Sequence, residues 1–255
     1  MNYLKICREI KKRVKEEISK ERFEKLSEKV GRGAFGAQTS LIDDLAERVI
    51  ISELREMGLE AILLTEERGE IKIGREPSFK IILDPIDGTF NALRNIPLFS
   101  LSIAVRTLND EELFGYVSSL SFEDEFHAFK NKGAFRNSKR IKVSEKDEIE
   151  KANISLYHDE ESPERVVELC KAVNRIRCYG CASLELCYVA SGALDAFVDV
   201  RGKQRIVDIA AGTLILKEAG GKVTDDRGMD LSGRIEKICV VATNGRLHEK
   251  ILKLL

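Results

Sequence analysis

The sequence predicts a layered α/β protein. Three observations carry this. Strand-length apolar runs and segments with helical spacing alternate through all 255 residues. No apolar run approaches the roughly 20 residues that span a membrane. There is also no internal repeat or low-complexity tract to suggest a solenoid or fibre.

Taken in order, Leu4, Ile6, Ile10, Val14, Ile18 and Leu26 recur near helical spacing, so a helix is expected from about Leu4 to Leu26. The glycine-rich segment Gly31-Arg32-Gly33-Ala34-Phe35-Gly36 lacks the lysine of a Walker loop and reads as a mobile loop. Thr39 or Ser40 can cap a second helix to about Met57, with Asp43, Asp44 and Glu47 in its first turns, where the helix dipole favours acids. Ala61 to Leu64 is a short buried strand ending at Thr65-Glu66-Glu67, and Phe79 to Leu83 is another, ending in an acidic turn. Phe99 to Arg106, Glu112 to Ser119 and Glu125 to Lys130 read as β, with a hairpin turn at Asn131-Lys132-Gly133.

The charged run Ser144 to Lys151 is the expected boundary between two lobes, 1–148 and 149–255. Beyond it come a strand (Asn153 to Leu156), a helix opening after Ser162-Pro163, a strand around Arg175 to Cys178 and a helix from Ala182 to Ala190 that stops at Ser191-Gly192. Ala193 to Val200 is a strand. Asp208 to Ala219 is a helix closed by Gly220-Gly221, and Lys237 to Thr243 is a last strand before a C-terminal helix.

A net charge of −1 argues against a general nucleic-acid binder. The basic stretch Lys11 to Lys29 is interleaved with Glu16, Glu17, Glu21, Glu24 and Glu28, the pattern of a solvated helix face. Met1-Asn2-Tyr3-Leu4-Lys5 lacks the apolar core of a signal peptide, so the expected compartment is the cytoplasm. Abundant Glu, Lys and Arg, with Gln only at Gln38 and Gln204, points to a thermophilic source. The six cysteines read as reduced core thiols, with Cys178-x-x-Cys181 leaving a regulatory disulfide open.

The chemistry is concentrated in Phe79-Lys80-Ile81-Ile82-Leu83-Asp84-Pro85-Ile86-Asp87-Gly88-Thr89. An apolar run delivers two carboxylates into a turn followed at once by Gly-Thr. Carboxylate oxygens suit hard divalent cations, and a Gly-Thr helix start offers free N–H groups to phosphate. Two further acidic clusters, Glu66-Glu67 and Asp208, also follow apolar runs; alone, Asp208 reads equally well as the N-cap of its helix. Five acids brought together repel one another unless cations intervene. Two divalent ions about 3.5–4 Å apart would remove that repulsion and clamp a phosphate. Mg²⁺ fits, and zinc fits less well because His127, His158 and His248 lie outside the clusters.

These residues resemble the inositol monophosphatase superfamily. Asp84-Pro85-Ile86-Asp87-Gly88-Thr89-Phe90-Asn91 matches its Asp-Pro-Ile/Leu-Asp-Gly-Thr-x-Asn signature. Val207-Asp208-Ile209-Ala210-Ala211-Gly212 matches its Trp-Asp-x-Ala-Ala-Gly signature with Val207 in place of Trp. Thr65-Glu66-Glu67 stands at its Glu-Glu site, Asp43-x-x-x-Glu47 fits an upstream element, and Ala219-Gly220-Gly221 fits the turn after the second signature. Length and the absent Trp most resemble archaeal-type enzymes that hydrolyse both inositol monophosphate and fructose 1,6-bisphosphate.

The resemblance implies an alternating αβαβα sandwich of the sugar-phosphatase type, with the metal and phosphate site in the first lobe and Asp208 and the substrate-selecting residues in the second. It implies a Mg²⁺-dependent phosphatase, at least a homodimer, with two ions per subunit and Mn²⁺ able to substitute. Glu66, Asp84 and the Ile86 carbonyl would hold the first ion, and Asp84, Asp87 and Asp208 the second. Gly88 and Thr89 N–H groups would cradle the phosphate, Thr89 with Glu66 would orient and deprotonate the attacking water, and Asp43 would support Thr89. The loop Gly33-Ala34-Phe35-Gly36-Ala37-Gln38-Thr39 departs from the family's Gly-Ala-Asp-Gly-Thr-Pro-Thr, with Phe35 in the acidic place, which puts a third ion in doubt.

Inositol phosphatases of the animal type carry a glutamate seven residues before the second signature Asp, where this chain has Arg201. A guanidinium there suits a second phosphate. Arg177, before the helix start Gly180-Cys181-Ala182-Ser183, is a second candidate, and Ala182 would contact substrate. Fructose 1,6-bisphosphate and inositol 1-phosphate are therefore the expected substrates. The rival readings are 3′-phosphoadenosine 5′-phosphate or NADP(H) as phosphate donor and, more distantly, a non-catalytic sugar-phosphate sensor.

Overall fold

The computed structural model of the chain describes residues 1–255 except Phe35, Ala37, Glu161, Ser162 and residues 232–236, with the backbone alone for Phe23. Helix α1 (Tyr3–Lys20) buries Cys7, Ile10 and Val14 on one stripe. It stops earlier than its periodicity predicts: the chain turns extended at Glu21 and resumes as the short α2 (Phe23–Leu26). Glu21 and Arg22 are exposed and have no apolar side chain to pack, so no burial carries the helix past Lys20.

Strand β1 (Lys29–Arg32) takes in Gly31 and pairs antiparallel with β2 (Gln38–Ser40). The Ala34 N–H donates to the Glu67 carbonyl at 2.9 Å. Phe35, on which the expectation for a third ion turns, lies outside the described residues. Helix α3 (Leu41–Glu56) starts after Ser40 as predicted, but the Ser40 hydroxyl donates to the Asp43 carboxylate instead of capping a backbone N–H.

Next come β3 (Ala61–Thr65), β4 (Gly69–Ile73), β5 (Phe79–Asp87), the single turn α4 (Thr89–Ala92), β6 (Ser100–Thr107), β7 (Glu112–Ser119), β8 (Glu125–Phe129), β9 (Gly133–Arg136) and β10 (Lys139–Ile141). Their strands form an eight-stranded sheet in the order β10-β9-β8-β7-β6-β5-β3-β4. The second half supplies β11 (Asn153–Tyr157), α5 (Val167–Ala172) after a 3₁₀ turn, β12 (Arg175–Arg177), α6 (Ala182–Ala190), β13 (Ala196–Gln204), α7 (Ile206–Glu218), β14 (Lys222–Thr224), β15 (Ile238–Thr243) and α8 (His248–Leu252). Its sheet has the order β12-β11-β13-β15-β14.

Three apolar cores stack these elements into αβαβα layers, the sandwich that the resemblance implies. Ile10, Val14, Ile50 and Leu54 of α1 and α3 pack on Leu63, Ile81 and Val105 of the first sheet. Leu184, Leu186, Leu214 and Ile215 of α6 and α7 fill the space between the sheets against Ile82, Val117, Phe197 and Val240. Leu169, Leu247 and Ile251 cover the far face of the second sheet against Ile154, Val198 and Val241. Helix α7 is buried at every position from Val207 to Leu216, as a helix enclosed by two sheets must be. It packs on β5, β6, β7 and β8, so the first sheet is completed by a helix from the second half of the chain.

Candidate active site

Strands β3 and β5 are parallel neighbours, and their C-terminal ends deliver Glu66 and the two aspartates to one edge of the first sheet. Ligands gather at such edges because backbone ends and helix starts converge there. The sequence predicts that β5 stops at Leu83. It instead continues to Asp87 through an irregularity: Asp84 pairs with Ser102 and Asp87 with Ser100, so three steps on β5 match two on β6. In a regular strand, residues three apart face opposite ways. The extra residue resets that alternation, and both Asp84 and Asp87 line the same cleft of about 280 Å³. Pro85, with no N–H to donate, fits a bulge of this kind.

Asp208 reaches the cleft from the first turn of α7. It is the third residue of the helix, not its N-cap, and the cap is Arg205, whose backbone N–H donates to Asp208 Oδ2 at 2.8 Å. Among the described residues, Glu66, Asp84 and Asp208 offer one oxygen each, all within 4.8 Å of one another. Burial pushes the Glu66 carboxyl up to about 7, with Arg205 pulling against it. Asp84 is driven well above the usual carboxylate range by burial and by the charges of Glu66, Asp87 and Asp208. Burial lifts Asp87 to about 6, although the Ser183 N–H donates to its Oδ2 at 2.7 Å. An all-oxygen cluster that crowds this many carboxylates together fits a hard divalent cation.

A pH dependence follows. A carboxyl raised in the folded state contributes stability that is fully present below its unfolded pKa and is lost as pH rises through the folded one. In chelator, the melting temperature is expected to fall by several degrees as pH climbs from about 4 to 7, the window spanned by Glu66 and Asp87. Saturating divalent metal should flatten that slope. Thermal melts at matched pH with EDTA or Mg²⁺ check this, and equal slopes would exclude a cation at the cluster.

Gly88 takes a left-handed conformation (φ 89°) and caps α4, turning the chain so that Thr89 opens the helix beside the acids. Thr89 Oγ1 lies 2.8 Å from Asp43 Oδ1 and 3.0 Å from the Ile86 carbonyl. Asp43 is itself buried, which raises its pKa, and accepts from Ser40 through its other oxygen. Asn91 ties the turn to the second half of the chain, donating to the carbonyls of Leu98 (2.8 Å) and Tyr179 (2.6 Å).

The structure brings most of the sequence-predicted residues together. Glu66, Asp84, Ile86, Asp87, Gly88, Thr89, Ala182, Arg201 and Asp208 all line the cleft, and Asp43 stands behind Thr89. Arg177 is the exception: it is exposed on the edge strand β12, donates to the carbonyl of its neighbour Ile176 and lines no part of the cleft. Arg201 is held by Asp199 through two hydrogen bonds of 3.0 and 2.6 Å and stacks on Tyr157, 4.6 Å from the ring centroid. The cysteines are free thiols, and buried Cys181 donates to Asp87 Oδ2 at 3.2 Å.

The residue that sequence reasoning missed is Arg205. Its guanidinium donates to Glu66 Oε1 at 2.6 Å and to Asp208 at 2.7 Å (Oδ1) and 3.2 Å (Oδ2). An arginine three positions before an acid at a helix start is the one local signal that could have found it. A larger cavity of about 460 Å³ lies beside α7 and the turn after β6, but none of the signature acids lines it.

The sequence model of the inositol monophosphatase family matches residues 2–255. A fructose-1,6-bisphosphatase/inositol-1-monophosphatase of Methanothermobacter thermautotrophicus is 39% identical over 248 residues, covering 91% of this chain and 88% of the relative. A bifunctional NADP phosphatase/NAD kinase of Methanococcus maripaludis is 37% identical over 273 residues, and the match spans 98% of this chain but only 48% of that longer protein. Among solved structures, the MJ0109 gene product, an inositol monophosphatase–fructose 1,6-bisphosphatase, superposes with a TM-score of 0.88 at 31% identity over 100% of both chains.

Proposed function

The chain belongs to the inositol monophosphatase family, which makes it a phosphatase, and we propose that it is a Mg²⁺-dependent phosphomonoesterase acting on fructose 1,6-bisphosphate and inositol 1-phosphate. The observation that carries this reading is the convergence of Glu66, Asp84 and Asp208 within 4.8 Å, beside the Gly88-Thr89 helix start. Glu66, Asp84, Asp87, Asp208 and the Ile86 carbonyl would hold Mg²⁺, which when bound supplies Lewis-acid stabilisation of the phosphoryl oxygens and activation of water. The chain's own groups position the reactants. The N–H groups of Gly88 and Thr89 donate to the phosphate. Thr89 Oγ1 donates a hydrogen bond to Asp43 and so turns a lone pair to the attacking water, and the ionised Glu66 carboxylate takes the proton from that water. The Ser183 N–H fixes Asp87 so that its Oδ1 remains available as a ligand. The working form we propose is a cytoplasmic homodimer, as the family resemblance implies.

Arg201 faces the cleft with its guanidinium plane set by Asp199 and Tyr157, a geometry suited to one anionic group at the far end of a substrate. We expect Arg201→Ala to lower kcat/KM for fructose 1,6-bisphosphate by about 10- to 100-fold, the loss of charge-assisted hydrogen bonds, with inositol 1-phosphate nearly unaffected. Equal losses on both would remove the second-phosphate role. A second reading is favoured by the bifunctional relatives: NADP as the phosphate donor. Phosphate release from fructose 1,6-bisphosphate, inositol 1-phosphate, adenosine 3′,5′-bisphosphate and NADP, with and without Mg²⁺, separates the two. Turnover of NADP alone, or release indifferent to metal, would overturn the proposal.

A further inference from the structure

We propose that Arg205 is a built-in counter-cation that a divalent ion must displace from Glu66 and Asp208, so that metal loading and release of this guanidinium from the two acids are one coupled event. The inference rests on the metal-dependent reading above. The case begins with lone pairs. Asp208 gives three of its roughly four lone-pair sites to Arg205: Oδ1 accepts from Nη2 at 2.7 Å, while Oδ2 accepts from Nε at 3.2 Å and from the Arg205 backbone N–H at 2.8 Å. Glu66 Oε1 accepts from Nη1 at 2.6 Å. The same guanidinium therefore draws on oxygens of two of the three acids that could hold a metal ion.

Electrostatics says why the arrangement exists. Glu66, Asp84, Asp87 and Asp208 share one cleft, where like charges held close repel one another. Without metal, Arg205 bridges Glu66 and Asp208, while Arg201 is oriented by Asp199 and Lys203 pairs with Asp159 at 2.7 Å. A fork of planar donors can satisfy two carboxylates at once, which a lysine cannot. The side chain is only 18% exposed, so solvent screens the contact weakly. When a divalent ion takes Glu66 and Asp208, the guanidinium gives up its bonds to those two acids while its backbone still caps α7. It is then left at the cleft wall, beside Arg201, where an anionic substrate enters. Metal loading thus leaves in the cleft a guanidinium that no longer neutralises these two acids. By linkage, an anion that recruits the displaced guanidinium tightens metal binding by the same factor as the metal tightens the anion.

The test is Mn²⁺ binding by the whole chain, read from the EPR signal of the free ion, for wild type, Arg205→Gln and Arg205→Lys. With the competitor removed, Arg205→Gln should bind Mn²⁺ more tightly by a factor in the range of roughly 5 to 150 typical of coupled sites. Arg205→Lys should fall between. In EDTA, Arg205→Gln should melt below wild type, and saturating Mn²⁺ should erase that difference, because the guanidinium no longer touches the acids in either loaded protein. A merely structural arginine would leave the difference in place. Unchanged or weaker Mn²⁺ binding by both variants would overturn the inference while leaving the metal assignment intact. Failure of all three proteins to bind Mn²⁺ would overturn both.

Discussion

Asp87→Asn is expected to lower phosphate release by at least about 10³-fold, which several kcal/mol of lost transition-state stabilisation implies, while the fold survives. The substitution is nearly isosteric. The amide oxygen can still accept from the Ser183 N–H, the contact that ties the end of β5 to the start of α6. What changes is the other atom of the side chain, which becomes an N–H₂ donor where a metal ligand needs a lone pair. Asp87 also sits among acids that repel one another, and burial holds its pKa near 6, so neutralising it removes an unfavourable charge from the metal-free protein. The melting temperature in EDTA should therefore stay level or rise, while Mg²⁺ affinity and turnover collapse. Circular dichroism, thermal melts and phosphate release on the same preparation separate these effects. Near-normal turnover would mean that Asp87 is only a strut between β5 and α6.

Much of this site was legible in the sequence because its chemistry is written in residue types at strand ends. Asp84-x-x-Asp87-Gly88-Thr89 announces carboxylates and a helix start whatever the surrounding fold, and the apolar runs before Glu66 and Asp208 place those acids at the edge of a core. The order of layers came from the family resemblance, and the burial of α7 from Val207 to Leu216 between the two sheets agrees with it. The bulge at Pro85 was not, because it is defined by pairing with Ser100 and Ser102 on β6. Short strands such as β4, β10 and β14 lack the length for a pattern and exist because a neighbour offers an edge. Arg177 and Arg201 look equivalent as letters. Only topology puts one on the exposed edge strand β12 and the other in the cleft. Arg205 escaped notice because its partner Glu66 is 139 positions away.

Gly88→Ala is the second substitution from which a large effect is expected, and it separates two kinds of strain. At φ 89° an alanine pays the left-handed penalty, about 1–2 kcal/mol. Its Cβ would also stand 2.8 Å from the Leu98 carbonyl oxygen and 3.0 Å from that of Gly180, both backbone atoms. Neither can swing aside as a flexible side chain would. Leu98 is fixed by Asn91, and Gly180 by its N–H donation to the Tyr157 hydroxyl, whose ring packs in turn on Phe197. A total cost of about 2–4 kcal/mol predicts a fall in melting temperature on the order of 10 °C for a chain of this size. Turnover should fall as well, by about 100-fold for a displacement near 1 Å, because the same residue aims Thr89 and the helix-start N–H groups. Gly58→Ala is the control. Gly58 has φ 66° beyond the end of α3, but no atom lies within 4 Å of a Cβ built there, so it pays the dihedral penalty alone and leaves turnover unchanged. If Gly88→Ala melts no lower than Gly58→Ala, the close approach of β5, the Leu98 loop and the α6 start is not what fixes the acids in place.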